Sequence, residues 1–253
     1  MNIASLGGFL YLFLLFPPLI YLQRFLQREI QSIFLLITRQ AEISTALFSL
    51  LFLPGVLLHE TSHYLMAHLL GVKTGGFSLI PKKMDNGRLQ LGYVETAKTD
   101  FVRDALIGAA PLIAGCTAVA LIGAFRLEIN ALWESYSQGG FSSLREALET
   151  LFAQPDFWLW FYLTFTISST MMPSPSDRKA WLPFLALIAT SIGLILLLGV
   201  GPWIMSHFGN FIASALEAIS VVFGITILIH LVLLPPMWVI RKIISRILGY
   251  QVV

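Results

Sequence analysis

Two histidines and a glutamate close together in the sequence have the residue types and spacing of a hydrolytic metal site. His59 and His63 are four residues apart, and Glu60 stands between them. On a helix, residues at this spacing share one face and lie about 6 Å apart along the axis. Two imidazoles so placed can bind one Zn²⁺, and a glutamate beside them can take a proton from the attacking water. The spacing therefore predicts a zinc hydrolase site with Glu60 as the general base.

The residues around this motif are apolar enough to cross a bilayer. They belong to the stretch 45–70, and a membrane span needs about 20 mainly apolar residues. Chance alone places the HExxH pattern in roughly one chain of this size in a hundred. Ionisable groups are costly inside a membrane and usually face a functional interior. The apolar setting therefore favours a metal site over a chance occurrence.

Zinc in a hydrolase usually has three protein ligands, so a third ligand is needed from elsewhere in the chain. Asp177 is the best candidate, because it follows Pro173 and Pro175 at the end of an apolar stretch. Prolines break a helix, and broken backbone at membrane depth is tolerated where it lines a cavity. The alternative is that Asp177 lies at the membrane interface and pairs with Arg178 and Lys179.

Composition predicts an all-α membrane protein that forms one polytopic membrane domain over residues 1–253. Of the 253 residues, 57% are hydrophobic and 12% are charged, about half the charged share of a soluble domain. A lipid bilayer is the expected surrounding, and a net charge of +2 is too small to indicate a nucleic-acid partner. About six transmembrane helices are expected, over residues 6–22, 45–70, 105–125, 157–172, 182–205 and 211–239.

A β-hairpin is expected directly after the helix that carries HExxH. Asn86-Gly87 stands between the apolar, partly alternating runs 77–80 and 89–94. Asn-Gly in such a setting is the strongest short-range hairpin signal. Residues 127–154 carry an amphipathic pattern that is typical of a short helix at the membrane interface.

The placement of lysine and arginine predicts the orientation in the cell membrane. With six spans, eleven of these residues lie on one side and five on the other, and the richer side is normally cytoplasmic. Both termini of this multi-pass protein are then expected in the cytoplasm. Three of the eleven residues follow the last span, namely Arg241, Lys242 and Arg246.

Two segments of the chain resemble the site-2 protease family of intramembrane zinc metalloproteases. That family pairs HExxH on one span with an Asn-x-x-Pro-x-Pro-x-x-Asp-Gly pattern on a later span. The similarity includes the hairpin and the segment Gly108-Ala-Ala-Pro111-Leu, and it covers about residues 45–180. It implies a metalloprotease core there that cleaves transmembrane segments of other membrane proteins. It also implies that His59, His63 and Asp177 bind Zn²⁺.

The second motif departs from the family pattern. The spacing from proline to Asp177 is one residue shorter, and Arg178 replaces the glycine that follows the aspartate. The position of the family's asparagine falls on Ser169 or Thr170, depending on where the gap is placed. Either hydroxyl could bind substrate, although neither reproduces a carboxamide.

Three other functions match parts of the pattern. A catalytically degenerate homologue would bind a metal or a partner protein without cleaving; the altered aspartate motif permits this, and the intact Glu60 disfavours it. A metalloprotease of the prenyl-protein-processing type would need a later Glu-x-x-x-Asp segment, and none follows residue 63. A transporter would show repeated halves, which the sequence lacks. The oligomeric state is left open.

Overall fold

The computed structural model describes residues 3–79, 82–83 and 89–249, with side chains over 10–79 and 91–249. Helices dominate, and four short strands lie between the second and third helices. In chain order the elements are α1 (Ile3–Thr38), α2 (Ala41–Leu69), β1 (Thr74–Ser78), β2 (Lys82–Lys83), β3 (Leu89–Gln90), β4 (Tyr93–Thr96), α3 (Phe101–Phe125), α4 (Ile129–Phe152), α5 (Phe157–Thr170), α6 (Trp181–Leu197) and α7 (Gly201–Leu248).

Four helices in the described part of the chain are long and apolar enough to cross a membrane. They are Leu10–Thr38 within α1, and the whole of α2, α3 and α7. The prediction of a mainly helical membrane protein agrees with these helices. The predicted count of six spans is not confirmed. Helix α5 has 14 residues, about 21 Å at 1.5 Å per residue, and this is less than the roughly 30 Å of a hydrocarbon core.

Several predicted boundaries differ from the helices observed. Helix α1 continues to Thr38 rather than ending at residue 22. Helix α6 ends at Leu197, and the turn between the last two helices lies at residues 198–200, where Gly199 has a φ of +71°. Residues 206–210, predicted as a turn outside the membrane, are helical within the 48-residue α7. An unbroken apolar run gives no periodic signal for where one helix stops, which explains this error.

The predicted hairpin follows α2 as two short antiparallel pairings. Strand β1 pairs with β4, with Phe77 opposite Val94, and β2 pairs with β3, with Lys82 opposite Gln90. The Asn86-Gly87 turn lies outside the described residues. The pairing of β1 with β4 places the chain from Leu91 onward close to the end of α2.

Helices α1 and α7 run in the same direction along each other. Phe16 contacts Phe223, and Glu29 pairs with Arg241 more than a dozen residues further along both helices. The C-terminal ends of both helices therefore lie at the same end of the bundle. If each helix crosses the bilayer once, α1 and α7 both begin on one side and end on the other. The predicted cytoplasmic location of both termini stays a prediction.

This direction also changes the lysine and arginine count from which the orientation was predicted. The cations that follow the last span, Arg241, Lys242 and Arg246, move from the group of eleven to the group of five. Counted along the sequence, eight lysines and arginines then fall in each group. An even distribution does not select a cytoplasmic side.

Glycines bring α2 and α3 close to the chain around the end of α5. A Cβ on Gly55 of α2 would lie 2.7 Å from the carbonyl carbon of Thr166 in α5. A Cβ on Gly108 of α3 would lie 2.9 Å from the carbonyl carbon of Asp177. Such close approach of two backbones is possible only where no side chain intervenes. These contacts fix the end of α5, and the segment after it, against the buried face of α2.

Candidate metal centre

Helix α2 turns His59, Glu60 and His63 toward the interior of the protein. Glu60 and His63 are each 7% exposed, and His59 is half-buried beside them. The two imidazoles are one helical turn apart, and their Nε2 atoms are 3.2 Å from each other. The four-residue spacing therefore places both rings on one face, as the sequence predicted.

Backbone carbonyls fix the orientation and the tautomer of both histidines. Nδ1 of His59 is 2.7 Å from the Thr170 carbonyl oxygen, and Nδ1 of His63 is 2.8 Å from the Ile107 carbonyl oxygen. A carbonyl oxygen can only accept, so each Nδ1 carries a hydrogen and donates it. In a neutral imidazole, Nε2 is then left with a lone pair, and metal-binding histidines are commonly held in this way.

Asp177 lies beside the two imidazoles, in the turn after α5. Its carboxylate oxygens are 3.6 Å from Nε2 of His63 and 3.8 Å from Nε2 of His59. Ser174 holds the carboxylate in place, because its backbone N–H donates to Oδ2 at 2.7 Å. The Ser174 hydroxyl in turn accepts from the Asp177 N–H at 3.3 Å. Burial opposes ionisation of Asp177, but the nearby His63 and the hydrogen bonds from Ser174 outweigh it and hold the pKa of this carboxyl below its ordinary value.

Three acceptor atoms thus face one point, and a positive charge must lie among them, either as a shared proton or as a metal ion. The ligand atoms of His59, His63 and Asp177 all lie within 4.8 Å of one another. Tetrahedral zinc with ligand bonds of about 2.0–2.1 Å separates its ligand atoms by about 3.3 Å. The 3.2 Å between the two Nε2 atoms agrees with this separation, and the carboxylate needs to approach by a few tenths of an ångström. The donor set therefore fits zinc.

Glu60 is a buried carboxylate beside the two histidines. Among the residues that the structure describes, its side chain makes no hydrogen bond or ion pair. It lies close enough to His63 and Asp177 to interact electrostatically with both. Gly92 covers it, and a Cβ on Gly92 would lie 2.8 Å from Cγ of Glu60. Glu60 is thus placed beside the metal ligands and beneath the chain that leads into β4.

A cavity of about 760 Å³ opens onto these groups. Its wall includes all four motif residues, the segment Leu91–Val94 that leads into β4, part of α1 and the Pro173–Asp177 turn. Asp104, a second carboxylate near the start of α3, also lines the cavity. Asp100 instead caps α3 by accepting from the N–H groups of Val102 and Arg103.

Ser169 and Thr170, the predicted substrate-binding residues, also line the cavity at the end of α5. Both hydroxyls already have partners within the protein. The Thr170 hydroxyl donates to the Thr166 carbonyl at 3.0 Å, and the Ser169 hydroxyl lies 3.1 Å from Nε2 of His230. Substrate binding by either residue stays a prediction.

Sequence reasoning did not connect Gln23, Gln27 and His230 to the site. All three contact Ser169. One signal was present, because Gln23 and Gln27 are four residues apart and share one helix face. His230 is an isolated polar residue in an apolar stretch, where no local pattern identifies its partner.

No model of a known protein family, no curated protein and no solved structure matches this chain. The resemblance of its motifs to the site-2 proteases therefore rests on the quoted residues alone.

Proposed function

We propose that this chain is a membrane-embedded zinc metalloprotease of the site-2 protease type. It would hydrolyse peptide bonds in or near transmembrane segments of other membrane proteins. Zinc would be held by His59, His63 and Asp177, and Glu60 would act as the general base.

The observation that carries the proposal is that the Nε2 atoms of His59 and His63 and the Asp177 carboxylate converge beside the Glu60 carboxylate. Both Nδ1 atoms donate to main-chain carbonyls, so both Nε2 lone pairs point at the Asp177 carboxylate. Without a cation this arrangement is repulsive, and a polar cluster of this kind is costly in an apolar helix bundle. A proton shared between His63 and Asp177 would also relieve the repulsion, as a salt bridge, and the zinc content of the purified protein distinguishes the two cases.

The protein groups have separate roles in hydrolysis. Zinc bound by the three ligands would supply Lewis-acid chemistry and make hydroxide available near neutral pH. Glu60 takes the proton that the attacking water loses as its oxygen bonds to the peptide carbonyl carbon. Glu60 then gives this proton to the amine nitrogen as the carbon–nitrogen bond breaks. Because Glu60 is largely buried, few water molecules can compete for the proton.

The chain beside Glu60 supports an extended peptide as the substrate. Among the described strands, β4 pairs with β1 on one side only, and residues from Leu91 to Val94 line the cavity. A helix hides its peptide carbonyls, so a transmembrane substrate must unwind before attack. An unwound segment could add to β4 by strand pairing and lie across the metal ligands.

Cleavage by purified protein tests the proposal. Full-length protein in detergent is incubated with a panel of fluorogenic transmembrane peptides, and its zinc content is measured on the same preparation. Glu60→Gln should keep its zinc and lose at least about 10²-fold in turnover, because the amide cannot accept the proton. Glu42→Gln is the matched control, since Glu42 lies in the first turn of the same helix, and it should cleave normally.

Two results would overturn the proposal. One is a Glu60→Gln protein that cleaves at the rate of the unmodified protein, which would exclude Glu60 as the base. The other is a zinc-loaded protein that cleaves no member of the panel, which would favour a degenerate homologue that binds metal or a partner without hydrolysis.

A further inference from the structure

We propose that His230, Gln23 and Gln27 are positioning residues for the metal centre. They hold the last turn of α5, whose Thr170 carbonyl orients the His59 ring. None of the three is placed to contact the metal. This inference rests on the proposed metal site and deepens it, since it concerns what keeps that site in its binding geometry.

The end of α5 has free main-chain carbonyls that side chains from other helices satisfy. The last carbonyls of a helix have no intrahelical donor. The Ser169 carbonyl accepts from the amide of Gln23 and from the amide of Gln27, the latter at 2.8 Å. The next carbonyl, that of Thr170, accepts from Nδ1 of His59 at 2.7 Å. Helix α1 therefore anchors one carbonyl, and a candidate metal ligand depends on the next.

His230 anchors the same residue from α7. Its side chain is fully buried, and its Nδ1 lies 2.7 Å from the Thr226 carbonyl oxygen. That carbonyl fixes the hydrogen on Nδ1, so Nε2 must accept at its 3.1 Å contact with the Ser169 hydroxyl. Ser169 is thus held by its hydroxyl from α7 and by its carbonyl from α1.

One peptide unit separates this anchor from the group that orients His59. A movement of Ser169 is transmitted directly to the Thr170 carbonyl and hence to the imidazole. Metal ligands must lie within about 0.2 Å of their proper distances, so a small shift of this turn matters. Loss of a group that orients a metal ligand typically costs about 10- to 100-fold in metal affinity or activity.

A purely structural role would not require a histidine at position 230. A leucine at this fully buried position would fill similar volume without the cost of burying an imidazole. The buried polar groups instead converge on a single residue, and that residue is next to the carbonyl that holds His59. The arrangement therefore points to control of ligand position rather than to general packing.

The test measures metal binding rather than turnover alone. Zinc affinity is determined by chelator competition on full-length protein in detergent, and the visible absorption of the Co²⁺-substituted protein reports ligand geometry. His230→Leu should weaken zinc binding about 10- to 100-fold and change the Co²⁺ spectrum. His230→Gln keeps an amide oxygen that can accept from Ser169, so it should restore most of the affinity.

Ile229→Ala is the matched control for destabilisation, because Ile229 is a buried core residue next to His230 on α7. It should lower the unfolding temperature and leave zinc affinity and the Co²⁺ spectrum unchanged. If His230→Leu does not fold, Ser169→Ala removes the same hydrogen bond with a smaller change and should give the same loss.

The outcomes separate this inference from the proposed function. A folded His230→Leu or Ser169→Ala with normal zinc affinity and an unchanged Co²⁺ spectrum overturns the positioning role alone. An unmodified protein that binds no zinc overturns the proposed metal site, and the positioning role with it.

Discussion

Replacing Gly108 with alanine should displace Asp177 from the metal centre. Gly108 lies on α3 directly against the main chain of Asp177, and a Cβ there would be 2.9 Å from its carbonyl carbon and closer still to its carbonyl oxygen. Ordinary contact begins at 3.4 Å. Helix α3 and the turn that carries Asp177 must therefore separate by at least about 0.5 Å, the difference between 3.4 and 2.9 Å.

That displacement is large for a metal ligand and modest for the fold. Ligand distances tolerate changes of about 0.2 Å, so zinc affinity should fall by at least about 10- to 100-fold. Overpacking typically costs about 1–3 kcal/mol of unfolding free energy. The change from glycine to alanine within a helix raises the unfolding free energy by up to about 1 kcal/mol, which offsets part of this cost. The variant should therefore fold, and its main defect should be a lower affinity for zinc.

Zinc content, chelator competition and peptide cleavage, measured on one preparation, provide the assay. Gly123→Ala is the matched control on the same helix, because its Cβ would meet only side-chain atoms, the nearest being the flexible end of Ile225 at 3.0 Å. It should bind zinc normally. A Gly108→Ala protein with normal zinc affinity and cleavage would show that the packing of α3 does not fix Asp177 as a ligand.

Four further outcomes are expected. Chelation should abolish cleavage and lower the unfolding temperature, and added zinc should restore both, because a ligand that binds only the folded state stabilises it; cleavage that persists after complete zinc removal would contradict a zinc enzyme. Gly92→Ala should crowd Glu60 and slow cleavage while zinc content stays normal, and unchanged turnover would show that the chain before β4 does not confine Glu60. Arg241→Leu should lower the unfolding free energy by about 3 kcal/mol, since it leaves the buried Glu29 without its partner; thermal unfolding equal to that of the unmodified protein would refute this. Reporters fused to the two termini should lie on opposite sides of the membrane, and readings from the same side would contradict the parallel crossing of α1 and α7.

Features encoded within a short segment could be predicted from the sequence. The spacing of His59 and His63 fixes their common face on any helix, so their approach within α2 needed no tertiary information. The hairpin was predictable from its turn residues and alternating flanks. Asp177 could be proposed because the prolines before it end a helix and it is the first carboxylate after them.

Features that depend on distant segments could not be predicted in this way. The direction of α7 relative to α1 is decided by contacts such as that between Glu29 and Arg241, which are far apart in sequence. The anchoring of Ser169 by Gln23 joins residues 146 positions apart. No local pattern of polar residues specifies such partners, because a membrane helix can meet any of its neighbours in the bundle.

X-ray absorption at the zinc edge, on purified full-length protein, tests the central claim most directly. The account predicts one zinc ion per chain, with two imidazole nitrogens and a carboxylate oxygen at about 2.0–2.1 Å. Asp177→Asn should bind zinc much more weakly and lose the carboxylate contribution, because a neutral amide is a poor replacement for a carboxylate on zinc. A protein without stoichiometric zinc, or an Asp177→Asn variant with an unchanged zinc spectrum, would contradict the account.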